Sequence, residues 1–533
     1  MSLGRIVGIE TEYGILAPTS PLNPMQLSAL VVGAYRDSGV PWAPWDYAAE
    51  DPLHDARGFH LDRAAAHPSI LTDRPPAISP TFASSAPRER RMAGTPGRQR
   101  PTAIVLGNGA RLYVDHAYPE YSAPEVTSAR DAAIWDAAGE RIVLEAIRML
   151  AATPDGPDIG LYKNNTDGKG ASYGTHENYL VDRAVPFDSL VAFMTPFLVT
   201  RQVFTGSGRV GLGQHGTEPG FQLSQRADFI EAEVGLETTL HRPIVNTRDE
   251  PHADPHRWRR LHVIVGDATV MDIATYLRVG TTCLVLTALE SGAWDQAFLD
   301  RVRLADPVAG FHQVSRDLSV SRPLALASGG VATALDIQRA YLALATAAAG
   351  SATSGMAPES RESAGDAAPA TSAAGPPGAS EAGAEAADLL ARWASILDRL
   401  ARDPLGTAGE VEWAAKYRLL AALADREPAG WASPRVAAAG LQWTDIRPER
   451  SLAARMAAAG AIQVLASEQD VAAAVTTPPR TTRAWARGQA VAKGTPEVWA
   501  ANWDSVTLAA PAADDAPRLI DLADPWAHAA PPH

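Results

Sequence analysis

The sequence predicts an α+β fold on three observations. Strand-like runs recur at residues 3–15, 103–115, 158–163, 174–181, 219–226 and 260–267. Helical patterns fill 128–151, 269–290 and 332–349, with apolar residues returning at helical spacing rather than alternating. The two kinds of segment are interspersed along the chain, which points to α+β or mixed α/β packing. Leu389, Trp393, Ile396 and Leu400 fall at helical spacing and predict one more helix. No internal repeat is visible.

The chain has 533 residues, 47 Lys+Arg and 61 Asp+Glu, a formal charge of −14. Its 46% apolar and 20% charged content is ordinary for a globular protein. The length fits two to four domains, or a large domain with a small one. The acidic balance argues against bulk nucleic-acid binding. One cysteine, Cys283, excludes an intramolecular disulfide and a zinc–thiolate site. No run approaches 18 consecutive apolar residues, so no membrane span is expected. The first residues do not resemble a signal peptide, and the expected location is cytoplasmic, without nucleic-acid or membrane partners.

Three stretches look unlike core. Residues 37–100 are dense in proline and end in the basic run Arg88, Arg90, Arg91, Arg98 and Arg100. A loop of that length is functional or disordered. Residues 350–387 are mostly Ala, Gly, Ser, Pro and Glu and predict disorder, having too little apolar area to offset ordering entropy. Residues 511–533 read as a flexible tail with a short apolar patch near Leu519.

The strand runs carry the chemistry. In Arg5–Ile15, alternation puts Val7, Ile9, Thr11, Tyr13 and Ile15 on one face and Gly8, Glu10 and Glu12 on the other. Two carboxylates about 7 Å apart along one strand face can approach one divalent ion or two neighbouring ions, or simply meet water. In the second strand Arg111, Tyr113 and Asp115 share a face opposite Leu112 and Val114, and Glu120 follows. That reads as a site wall or as a solvated edge with an Arg–Asp pair. His176 and Asn178 alternate onto one face after the loop Tyr162–Gly174. Gln222, Ser224 and Arg226 do the same, as do Asn246 and Arg248. The arginines are candidates for a phosphate or carboxylate or for structural ion pairs. His262 lies in an apolar strand, either as a core histidine or as a metal ligand.

Four familiar patterns fail on context. Gly170-Ala-Ser-Tyr-Gly174 lacks the strand before and helix after a nucleophile elbow. Gly206-Ser-Gly-Arg-Val-Gly211 opens no helix, as a dinucleotide fingerprint must. His252-Ala-Asp-Pro-His256 is broken by Pro255 and lacks the catalytic glutamate, and Gly168-Lys169 lacks the rest of a P-loop. The remaining set fits an ATP–magnesium site without a P-loop: carboxylates for metal, metal and arginines for phosphates, and a carboxylate left for chemistry.

Ile9-Glu-Thr-Glu-Tyr-Gly-Ile15, Asn108-Gly-Ala-Arg-Leu-Tyr-Val-Asp115, His176-Glu-Asn-Tyr179, Ser224-Gln-Arg226 and Asn246-Thr-Arg-Asp-Glu-Pro-His-Ala-Asp254 together resemble the Pup ligase/depupylase family. The resemblance implies a glutamine-synthetase-like curved antiparallel sheet cradle packed with helices, plus a small C-terminal domain. It places the catalytic domain at 1–430, with the insertions at about 37–100 and 350–387, and the small domain at 431–510. Within the family the chain is similar to the depupylases, through its insertion with Trp45-Asp-Tyr47 and Asp55-Ala-Arg-Gly-Phe59, its Val114–Ser122 run and Asp167–Ser172.

The resemblance also implies roles. Glu10, Glu12, Tyr113 and Glu120 would ligate Mg2+, with His176 and His262 completing the metal pocket. Arg111, Ala123, Asn178, Arg226, Arg248 and Trp503 would hold ATP, the arginines its phosphates or the glutamyl end of the substrate. Asp115 would be the catalytic carboxylate, as base or nucleophile. The implied partners are Pup, the prokaryotic ubiquitin-like protein, and pupylated proteins. The implied reactions are deamidation of the C-terminal Gln of Pup and cleavage of the isopeptide to a target lysine, with ATP more a bound cofactor than a fuel. The alternative is a ligase that forms that isopeptide.

Overall fold

A computed structural model describes residues 4–74, 101–354, 379–494, 497–510 and 516–527. Nine strands form the central sheet: β1 (Val7–Glu12), β2 (Trp42–Pro44), β3 (Ala103–Leu106), β4 (Arg111–Asp115), β5 (Tyr118–Ser122), β6 (Thr175–Asp182), β7 (Ile230–Gly235), β8 (Arg242–Asn246) and β9 (Trp258–Val263). Their order in space is β7-β8-β9-β6-β1-β5-β4-β3-β2. The pairing is antiparallel except for the parallel β7–β8 edge pair. β1 lies in the middle, and its side chains are the best placed to meet both halves of the sheet.

Alternation then decides what each face does. Val7 and Ile9 of β1 turn into the main apolar core, against helices α2 (Ala129–Ala151), α3 (Phe187–Thr200) and α4 (Asp272–Glu290). Leu112 and Val114 of β4 join a second cluster with Leu27 and Val31 of α1 (Pro24–Arg36) and Ile142 of α2. Helices therefore cover one face, and the polar residues of the same strands are left on the other. The start of α2 is fixed by Ser128, whose hydroxyl accepts from the Asp131 amide, satisfying one of the orphan donors at a helix start. α4 is long and apolar enough to cross a membrane, but 89% of its apolar window is buried inside the protein; it is a core helix.

Several expectations need correction. The insertion after residue 37 is not structureless over its described part: β2 extends the main sheet, and Leu53 and Ile70 pack with Leu236. Its basic end, Arg88–Arg100, lies outside the described residues. The disorder expected at 350–387 does not hold at either end of that stretch, where helix α5 runs Ala334–Ser354 and α6 runs Ala379–Arg402; residues 355–378 lie outside the described residues. The strand expected at 219–226 ends at Gln222. Beyond it, Ser224 Oγ and the amides of Gln225 and Arg226 turn inward onto the buried carboxylate of Asp267.

The C-terminal division also shifts. Val436, Trp443 and Ile462 share the main core with α7 (Glu412–Ala424), and Val471 and Ala474 of α8 (Glu468–Thr476) pack on Ile134 and Ala138 of α2. A boundary at 430 thus falls inside one core. The separate element is α9 (Ala484–Ala492) with a three-stranded sheet of β10 (Val498–Ala501), β11 (Ser505–Leu508) and β12 (Arg518–Asp521). Its core residues Val498, Val506 and Leu522 close against Ala43, Trp45 and Val105. β12 pairs with β11, so residues expected as tail are partly strand. Trp526 goes further and donates its indole N–H to the Gly4 carbonyl at 3.0 Å.

Candidate functional site

Register builds the site. Glu10 on β1 pairs with His176 on β6, and Glu12 pairs with Glu120 on β5. Asn178 on β6 pairs with His262 on β9, and Tyr113 on β4 pairs with Glu120. Directly opposed side chains on one face of an antiparallel pair stand about 5 Å apart, so five strands converge their polar residues on one patch.

Two groups of ligand type result. Glu10, His176 and His262 form one, and Glu12, Asp115 and Glu120 the other, with candidate ligand atoms within 4.8 Å of one another in each. In the first, His176 Nδ1 lies 3.1 Å from Glu10 Oε2. Asn178 Nδ2 donates to Glu10 Oε1 at 2.8 Å, and its Oδ1 lies 2.8 Å from His262 Nδ1. Asn178 therefore orients two of the three ligand-type residues at once. Burial would raise the Glu10 carboxyl, but the His176 hydrogen bond and the charge of Arg260 hold it below the usual range. Burial, helped by Arg260, drives the His262 imidazole well below its ordinary value, so it is neutral, the form in which histidine ligates a metal.

The second group is under strain of like charge. Burial, with the charges of Asp115, Glu12 and Glu10, pushes the Glu120 carboxyl well above its ordinary range. Burial and Asp115 also raise Glu12. Asp115 goes the other way: burial works upward, but the hydrogen bond and charge of His116 hold it low and ionised. A divalent cation would relieve this crowding, and oxygen-rich donors are what magnesium takes. The residues therefore fit Mg2+, with Tyr113 presenting its hydroxyl beside Glu120, where Ser122 Oγ donates to it at 3.4 Å.

A cleft opens beside the first group. Gly8, Glu10, Ala123, Asn178, Arg260 and Trp503 line it. Trp503 comes from the small C-terminal sheet unit and meets Trp45 of the insertion edge to face, with ring centroids 5.2 Å apart. Behind it, Glu125 joins Arg483 Nε at 2.8 Å and also pairs with Arg487; Arg487 in turn donates to the Trp503 carbonyl at 2.8 Å. The C-terminal unit is thus tied by ion pairs to the floor of the cleft, and its tryptophan becomes part of the wall. An aromatic ring, small residues such as Gly8 and Ala123, and nearby Arg260 and Arg483 suit a nucleotide.

The arginines divide. Arg111 is held between Trp45 and Tyr113, 4.0 and 3.9 Å from the ring centroids, and its Nη1 meets Glu50 Oε1 at 3.0 Å. Arg248 pairs with Glu250 and donates to Thr72 Oγ1 at 2.7 Å. Arg226 stands at the other end, near Glu12 and Arg242, with its Nη1 on the Tyr173 carbonyl. Burial, then Arg242, pulls the Arg226 guanidinium down to about 9. Among the described residues it has no carboxylate within salt-bridge distance, so an incoming anion would compensate it. The structure thus brings Glu10, Glu12, Tyr113, Asp115, Glu120, His176, Asn178 and His262 onto one patch. Ala123 and Trp503 sit at its cleft, and Arg111, Arg226 and Arg248 are on separate flanks.

The rejected patterns stay rejected. Ser172 Oγ is buried ahead of β6 rather than at a strand–helix elbow, and a strand, Arg209–Leu212, follows Gly208. Sequence reading missed Arg260, Glu50, Arg242 and His116. Arg260 was within reach, since it lies two residues before His262 on the same strand and so on the same face. Glu50 and His116 gave no local signal.

Comparison with known proteins bears on this geometry. The family described as Pup-ligase protein matches residues 5–507. A depupylase of Acidothermus cellulolyticus is 45% identical over 522 residues, 97% of this chain and 93% of that protein. A Pup deamidase/depupylase of Mycobacterium tuberculosis is 45% identical over 508 residues, 94% of this chain and 90% of that one. A Pup-protein ligase of Actinosynnema mirum is 37% identical over 435 residues, 80% of this chain and 88% of that one. Among solved structures, the Pup ligase PafA in complex with Pup superposes with a TM-score of 0.73 at 28% identity, covering 99% of this chain and 89% of that one. PafA in complex with ADP gives 0.69 at 31% identity, covering 88% and 97%. With its sheet, its acidic patch and its match over nearly the whole length, the chain belongs to the Pup-ligase protein family.

Proposed function

We propose that this protein is an ATP- and magnesium-dependent hydrolase of Pup. It converts the side-chain amide of the C-terminal Gln to Glu and cleaves the isopeptide between that Glu and a target lysine. The observation that carries the reading is Asp115: a carboxylate grouped with Glu12 and Glu120, whose Oδ2 lies 2.7 Å from His116 Nδ1. Both reactions are attack at one γ-carbonyl, so one carboxylate serves either, as base for water or as nucleophile. Glu10, His176 and His262 would hold one Mg2+, and Glu12 and Glu120 another. Ala123, Asn178 and Trp503 would contact the nucleotide, whose phosphates would supply negative charge and whose metal would supply positive charge to the site. A cytoplasmic location belongs to the same proposal, since that compartment supplies the nucleotide.

The ligase is the alternative. The depupylase reading is favoured because relatives bearing that name are more similar, at 45% over 97% of the chain against 37% over 80%. The folded insertion over Arg111 also favours it. Mass spectrometry of Pup ending in Gln, incubated with the protein, ATP and Mg2+, tests it. The expected result is conversion to Glu by the wild type and none by Asp115→Asn. Pup joined to lysine with stoichiometric loss of ATP would instead establish the ligase, and an active Asp115→Asn would remove Asp115 from the chemistry.

A further inference from the structure

β4 and β5 are joined by two residues, His116 and Ala117, because Asp115 pairs directly with Tyr118. Two-residue hairpin loops want a positive φ at the first central position, where glycine or asparagine is preferred. His116 occupies it with φ of 50°. A side chain with a Cβ is strained there, so its presence asks what the imidazole does in return.

Both ring nitrogens are engaged. Nδ1 lies 2.7 Å from Asp115 Oδ2, and Nε2 lies 3.1 Å from the Ser69 carbonyl oxygen. A carbonyl only accepts, and so does an ionised carboxylate, so each nitrogen must donate. The Ser69 end is itself fixed. Ser69 lies in the 3-10 turn Pro68–Ile70, its hydroxyl bonds to His67 Nδ1 at 2.7 Å and to Thr239, and Ile70 is buried against Leu53 and Leu236.

We propose that His116 is a positioning residue for the hydrolysis, fixing the Asp115 carboxylate toward the reacting centre and linking its orientation to the segment 59–74 through the Ser69 carbonyl. The proposal rests on Asp115 as the reacting carboxylate. Asp115 is half-buried at the end of its strand, with Oδ2 on His116. A hydrogen bond from a fixed donor selects one rotamer and leaves Oδ1 for the substrate side. Movement of the insertion is then felt at Asp115 without any change in the sheet.

Three variants separate the roles. His116→Gly removes both contacts and relieves the backbone. His116→Asn tolerates positive φ and places an amide N–H near the Nδ1 position, keeping the Asp115 contact alone. His116→Gln reaches toward Ser69 and loses Asp115. In steady-state deamidation of Pup-Gln with ATP and Mg2+, Gly and Gln should lower kcat about tenfold to a hundredfold, the worth of one charge-assisted hydrogen bond. KM should stay within about twofold, melting temperature should not fall for Gly, and Asn should recover most of kcat. Wild-type kcat in His116→Gly, or Asn as poor as Gly, would overturn the proposal. An active Asp115→Asn would instead overturn the reading beneath it.

Discussion

Glu50 Oε1 accepts from two donors at once, Arg111 Nη1 at 3.0 Å and Trp45 Nε1 at 2.7 Å. A carboxylate from the insertion therefore sits on an arginine that flanks the site. If Arg111 serves the nucleotide, Glu50 competes with phosphate for it. Glu50→Gln should then raise nucleotide affinity roughly tenfold, as the competing charge is lost, while lowering the melting temperature of the free protein. Calorimetric titration with ADP and Mg2+ measures the first. An unchanged affinity would mean that Arg111 is a structural cation.

Asn178 bridges Glu10 and His262. Removing a residue that orients metal ligands typically costs about 10- to 100-fold in metal affinity. Asn178→Ala should raise the Mg2+ concentration for half-maximal deamidation by that factor, with the fold intact by circular dichroism. A shift under twofold would show that the two ligand-type residues hold their positions unaided.

Glu125 anchors the C-terminal unit. Burial alone would raise its carboxyl, but Arg487 and Arg483 outweigh burial and bring it from 4.5 down to about 2. A depressed carboxyl contributes stability above its unfolded value, and that stability is lost as pH falls toward the folded value. The contribution is on the order of 3 kcal/mol. Thermal melts of the wild type and Glu125→Gln should therefore differ most near neutral pH and converge as pH falls from 4.5 toward about 2. A gap that stays constant across that window would refute the ion-pair account.

Gly139 sits inside α2, where alanine would ordinarily stabilise by about 1 kcal/mol. Here a Cβ would stand 2.3 Å from Tyr121 Cδ1, and Tyr121 is fully buried with its hydroxyl accepting from Asn108 Nδ2 at 3.1 Å. A ring so held cannot yield cheaply, and overpacking of this kind costs about 1–3 kcal/mol. Gly139→Ala should lower stability in urea by about 1 kcal/mol or more net of propensity. It should also disturb Glu120, the neighbour of Tyr121 on β5. A gain in stability would show that the helix can move away from the sheet.

Legibility in the sequence followed range. β1 and β4 could be read because period-two alternation is local: Glu10 and Glu12 on one face, Leu112 and Val114 on the other. The residue types of Glu120, His176 and His262 then named the chemistry. The run 219–226 misled for a physical reason. Its alternation mimics a strand, but Asp267, some forty residues on, draws the Gln225 and Arg226 amides inward and bends the chain. Glu50 and His116 were invisible for the same cause: each matters through a partner, Arg111 or Ser69, set by tertiary placement. The 511–533 stretch hid a strand because β12 is short and gains its ladder only from β11.

The bond from Trp526 to the Gly4 carbonyl spans 522 positions in sequence, and β1 next to it pairs with strands more than a hundred residues away. Such contacts close late, because loop-closure entropy must be overcome before they form. The strand bearing Glu10 and Glu12 is thus among the last secured. The acidic patch is complete only when segments more than a hundred residues from Glu10 and Glu12 have folded against them.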